Sequence, residues 1–124
     1  MNFTPLPSVN ILGTDYRIEK KAYTEEEAFV RRSIDGYCDG MAKLIVFCDM
    51  TTYKGWEYEP EETCRLAEKQ TLRHEIVHAF FNESGLMDSS FVYEGPWAKN
   101  EELVDWLALQ GAKIYKAWRE AGAL

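Results

Sequence analysis

Both histidines of the chain fall in one pentapeptide, His74-Glu75-Ile76-Val77-His78. Four positions apart on an α-helix, two side chains lie one above the other on the same face. Two imidazoles held that way can grip a single metal ion with a nitrogen each. Glu75 is rotated by one helical step, so its carboxylate can reach a water at that ion without ligating the metal. A zinc ion engaged in hydrolysis takes three protein ligands and keeps a fourth position open. The chain has no third histidine, so the missing ligand is expected to be a carboxylate from a second helix. Asn100-Glu101-Glu102-Leu103-Val104-Asp105 begins 22 residues after His78. Glu101 and Asp105 are spaced i, i+4 and share a face. Glu101 is the expected third ligand and Glu102 the alternative. Asp105, one turn on, is placed to accept a hydrogen bond from a ligand imidazole and so fix its ring.

His-Glu-x-x-His followed by Asn-Glu-x-x-x-Asp resembles the gluzincin branch of the zincins, the thermolysin-like peptidases. The match rests on His74, Glu75, His78, Asn100, Glu101 and Asp105. The resemblance implies zinc held by His74, His78 and Glu101, with Glu75 as general base and Asp105 orienting the first histidine. Tyr93 falls near the position where thermolysin-like enzymes keep a tyrosine that hydrogen-bonds the developing oxyanion. The short chain and its order of elements look more like the small ImmA/IrrE-type metallopeptidases common on phages and mobile elements. The helix-turn-helix or other accessory domain that accompanies many of those is not seen in these 124 residues. The expected function is a zinc metallopeptidase acting on a protein or peptide substrate.

Two other readings compete. A deformylase-like zinc amidase would draw a cysteine ligand from upstream; Cys38 stands in Gly36-Tyr37-Cys38, without the glutamate such enzymes place there. A non-catalytic zinc module that binds a host or regulatory protein would have no use for the general base Glu75. The acidic stretch Glu59 to Glu62 reads as a solvated helix start rather than a second metal site.

The elements that must position these residues follow from patterning. Val9–Leu12 and Tyr16–Lys20 flank Gly13-Thr14-Asp15 and predict a hairpin or bent strand pair. Thr24 and Glu27 have the form of a capping box, so a short helix should run to about Ser33. Tyr37-Cys38, a turn at Asp39-Gly40 and the apolar run from Lys43 to Cys48 predict a second hairpin whose return strand is buried on both faces. Its edge could hold an extended peptide. Residues 49–59, with Tyr53, Trp56 and Tyr58, read as a loop that forms a cleft wall or folds over the core. A helix is expected from Pro60 to Ser84, with Leu72, Ile76, Ala79 and Phe80 as its core stripe and Gly85 as its stop. His74, His78 and Phe81 lie on the neighbouring face. A last helix should run from Asn100 to about Arg119, with Leu103, Trp106, Leu107, Ile114 and Trp118 as its apolar side. Together these predict an α+β fold in one domain over residues 1–124: a small mixed or antiparallel sheet with helices on one side. The metal site would lie between the last two helices.

Bulk composition bounds the rest. A chain of 124 residues, 46% hydrophobic, can bury a core without disulfides. A net charge of −7, from 14 basic against 21 acidic residues, argues against nucleic acid and anionic membranes as partners. Cys38, Cys48 and Cys64 are an odd count without framework spacing, which predicts free thiols as small core residues in a reducing compartment. The first 13 residues lack a basic patch followed by an apolar run, so no signal peptide is expected. A cytoplasmic location is the expectation.

Overall fold

The structure, a computed structural model, describes residues 2–88, 100–122 and 124. Two antiparallel hairpins join into one mixed sheet. Strands β1 (Ser8–Ile11) and β2 (Thr14–Lys21) form the first, β3 (Gly36–Asp39) and β4 (Leu44–Cys48) the second. The two hairpins meet through a parallel β2–β4 pairing, which gives the order β1-β2-β4-β3. β4 is therefore central, and Ile45, Val46, Phe47 and Cys48 are buried as the apolar run predicts. β3 is left at the edge.

The first turn differs from expectation. It is the two-residue Leu12-Gly13, and Thr14 and Asp15 belong to β2. A two-residue hairpin turn of type I′ needs positive φ at both central positions. Gly13 supplies φ 96 readily, whereas Leu12 is held at φ 50. The Asn10 carboxamide oxygen accepts the Gly13 N–H at 3.0 Å and helps close the turn.

Helix α1 (Glu27–Arg32) is short, and its cap is Glu26 rather than Thr24. Thr24 is taken up in a 3-10 turn, Tyr23–Glu25, whose Glu25 carboxylate accepts the Ala22 N–H at 2.9 Å. With several acidic acceptors in a row, the cap moves to the one the preceding turn leaves free. Phe29 anchors α1 in the core, and Ser33 ends it in the left-handed region. After β4, Asp49 caps a second 3-10 turn, Met50–Thr52, through the Thr51 N–H at 3.0 Å. The loop beyond does both things its aromatics suggest. Tyr53 and Trp56 pack on the core and also line the cleft, while Tyr58 is fully exposed.

Helix α2 (Glu61–Glu83) lies against β1, β3 and β4. Pro60 stands at its N-cap, and Gly85 follows its end at φ 82. Its buried residues are Cys64, Glu68, Glu75 and Ala79. Leu72 and Ile76 pack beside them, but Phe80 is exposed. Phe80 is one step past Ala79, which carries it off the sheet-facing stripe. Helix α3 (Glu101–Glu120) packs on α2. Asn100 caps it, its carboxamide oxygen accepting the Leu103 N–H at 3.0 Å. Among the described residues, those α3 buries are Val104 and Ala108, whose small side chains permit close approach. Trp106 and Trp118, expected on the apolar side, are exposed instead. Arg73 of α2 donates from Nε to the Ala108 carbonyl at 3.0 Å and fastens the pair. Among the described residues no helix is long and apolar enough to cross a membrane.

Candidate metal centre

Helical spacing puts His74 and His78 one turn apart on α2, and the capped first turn of α3 brings Glu101 over them. The two Nε2 atoms lie 3.1 Å apart. Glu101 Oε2 is 3.2 Å from His74 Nε2, and its Oε1 is 3.1 Å from His78 Nε2. These three residues form one group whose ligand atoms all lie within 4.8 Å of one another. In a tetrahedral site with bonds of about 2.0–2.1 Å, neighbouring donor atoms are about 3.3–3.4 Å apart. The donor set, two imidazoles and a carboxylate, and its spacing both suit zinc. Glu102 is exposed and is not part of the group.

Asp105 meets the second ring nitrogen of His74. Its Oδ1 is 2.6 Å from His74 Nδ1. A carboxylate there holds the proton on Nδ1 and leaves the Nε2 lone pair facing Glu101. A lone pair aimed at carboxylate oxygens needs a cation or a proton between them. Burial lowers the proton affinity of His78, with His74 acting in the same direction and Glu101 against it. A neutral imidazole is the form that ligates.

Glu75 is 5% exposed, on the sheet-facing side of α2. One oxygen lies 4.0 Å from His74 Nε2, outside the three-residue group yet within reach of the same point through one water. Burial pushes this carboxyl up to about 8, and the charges of Glu101, Asp35 and Asp105 add to the rise. A divalent cation on the three donors would favour the ionised form.

Gly36 makes room for Thr71, one turn before that carboxylate, a role the sequence did not flag. A Cβ at Gly36 would sit 2.6 Å from Thr71 Cγ2 and 3.4 Å from Glu75 Oε2. The edge strand thus lies directly against the helix that carries the histidines. Gly40, just past the end of β3, is equally close to Asn82, where a Cβ would meet the carboxamide at 2.6 Å. Asn82 is held in turn by donating to the Tyr16 hydroxyl at 3.0 Å.

These residues open into one cleft of about 1250 Å³ along β3. Cys38 is in its wall but not among the converging donors, and burial pushes its thiol up to about 12. Arg32 and Asp35, which the sequence did not single out, also line it. Tyr93, expected to serve the oxyanion, lies outside the described residues. Comparison of the chain with protein-family models, with curated proteins and with solved structures finds no match.

Proposed function

We propose that the protein is a zinc-dependent peptidase that cleaves an extended segment of a protein substrate. The observation that carries this reading is the convergence of His74, His78 and Glu101 beside a buried Glu75, in a cleft bordered by a sheet edge. The resemblance to gluzincins, carried by the same residues, supports it. A zinc ion held there would act as a Lewis acid on the scissile carbonyl and make water a nucleophile near neutral pH. Glu75 takes the proton of the attacking water and passes it to the leaving amine. Asp105 keeps His74 in the ligating tautomer.

β3 supplies the substrate's backbone partner. The Asp35 carbonyl accepts the Cys48 N–H at 2.8 Å, so Asp35 faces β4. In an antiparallel pair the residues alternate, and the register Gly36↔Phe47 and Cys38↔Ile45 then turns the main-chain groups of Gly36 and Cys38 to the open edge. An extended peptide adding there as a strand is held by those groups beside the metal. The three free thiols fit a reducing, cytoplasmic setting for this activity.

Metal analysis tests the reading. The purified protein should hold one zinc per chain, and Glu101→Ala should lose most of it. Glu75→Gln should keep the zinc and abolish cleavage of a peptide library, because an amide cannot accept the proton. Unchanged zinc in Glu101→Ala, or undiminished cleavage by Glu75→Gln, would sink the proposal.

A further inference from the structure

Arg32 closes α1 and reaches the cleft wall. Its neighbour Arg31 is engaged by Glu27 one turn back at 3.3 Å. Arg32 is exposed and has no hydrogen bond or ion pair among the described residues. It is also the only lysine or arginine among the described residues that line the cleft, against the carboxylates of Asp35, Asp39, Glu75, Glu101 and Asp105. Each of those has its own task. Asp39 accepts the turn N–H groups of Met41 and Ala42 at 3.0 and 2.9 Å. Asp35 accepts the Thr71 hydroxyl at 3.3 Å. Glu101 and Asp105 hold the histidines, and Glu75 is the proposed base. The guanidinium is the one charged group of the cleft without an assignment.

A cleft with that many acidic groups, in a chain of net charge −7, turns anionic ligands away unless a local cation receives them. Arginine receives a carboxylate through two parallel N–H···O bonds, which fixes orientation as well as charge. Arg32 stands four residues before Gly36, at the N-terminal end of β3. A peptide paired antiparallel to β3 runs its C-terminal half towards that end.

We infer that Arg32 anchors a carboxylate of the substrate, so that the enzyme acts on peptides with a free C-terminus or an acidic side chain on the C-terminal side of the scissile bond. This rests on the peptidase reading above.

The test uses the zinc-loaded full chain and three probes built on one peptide hydroxamate. One ends in a free carboxylate, one in a carboxamide, and one in a carboxamide but with a glutamate side chain. Binding is measured by calorimetry at low salt. A carboxylate-bearing probe is expected to bind about tenfold tighter than the neutral one, with the gap shrinking as salt is added. Arg32→Gln should close the gap, and Arg32→Lys should keep part of it. Whichever carboxylate probe gains tells a chain terminus from a side chain. Equal binding of all three, or a gap that survives in Arg32→Gln, overturns the anchor and leaves the metal site standing. Failure of every probe to bind zinc-loaded protein overturns the peptidase reading and the anchor with it. Arg32 is exposed, and a thermal melt checks that its variants fold.

Discussion

Replacing Asp105 by alanine should loosen zinc about tenfold while leaving the fold intact. The contact removed is the one from Asp105 Oδ1 to His74 Nδ1, at 2.6 Å. That is at the short end for a nitrogen donor and marks a charge-assisted bond. Losing a partner that orients a ligating histidine costs roughly 10–100-fold in metal affinity. The Asp105 side chain is 60% exposed, so water replaces part of the lost interaction and places the effect at the lower end. Tenfold corresponds to about 1.4 kcal/mol. Asp105→Asn keeps an acceptor without the charge and should fall between parent and alanine. Competition against a chelator of known affinity measures all three. Glu102→Ala is the control, because it removes another exposed carboxylate from the same turn without touching a histidine. Two results would refute the reasoning: parental affinity in Asp105→Ala, or an equal loss in Glu102→Ala, which would reduce the effect to net charge.

Gly36→Ala should destabilise the fold by roughly 1–3 kcal/mol through overpacking against Thr71; in a Thr71→Ser background, which removes the clashing Cγ2, urea unfolding should show a smaller cost. Leu12→Asn should stabilise by up to about 1 kcal/mol, since Leu12 is 62% exposed at φ 50 and Asn-Gly suits a two-residue hairpin; a lowered melting temperature would count against the turn geometry. Glu83 is held at about 2, chiefly by the Lys43 ammonium at 2.7 Å and then by the Tyr16 hydroxyl. A carboxyl whose folded value is depressed stabilises above its unfolded value and loses that contribution as pH falls towards the folded one. Glu83→Gln should therefore be less stable than the parent at neutral pH, and the gap should close between about pH 4.5 and about 2 in pH-dependent melts. A gap constant over that range would exclude the charge of Glu83 as its source.

What could be read from the sequence was what is local. The two histidines share a face because helical spacing puts them there. Glu101 and Asp105 could be found because they stand i, i+4 at the start of a predicted helix and so share a face. The central burial of β4 was visible in its unbroken apolar run. The parallel pairing of β2 with β4 was not, because no local signal encodes which strands of two hairpins will meet. Trp106 and Trp118 misled for a related reason. An apolar stripe says that a helix face can be buried, whereas the docking of α3 chose the smaller Val104 and Ala108. Glu68 was invisible because a glutamate in a helix counts as solvated, while here it is buried. Only the tertiary arrival of Lys20 and the Met50 N–H makes that tolerable.

Glu68 and Glu75 together argue which part of α2 is structure and which is chemistry. They lie two turns apart on the same sheet-facing stripe, and both are almost wholly buried. Glu68 accepts the Met50 N–H on Oε2 at 2.9 Å, and the Lys20 ammonium neutralises Oε1 as an ion pair at 2.7 Å. Those partners tie β2 and the turn after β4 to the helix. Glu75 has no hydrogen bond among the described residues, and His74 Nε2 stands off at 4.0 Å. Glu101, Asp35 and Asp105 act on it with like charge, against the single opposing charge of Arg32. A fold that needed only stability would have neutralised the second carboxylate as it did the first, or replaced it by an apolar residue of similar size. Keeping it buried, without a hydrogen bond among the described residues and next to three converging donors is costly, and the cost is accounted for if a cation and a water complete its surroundings.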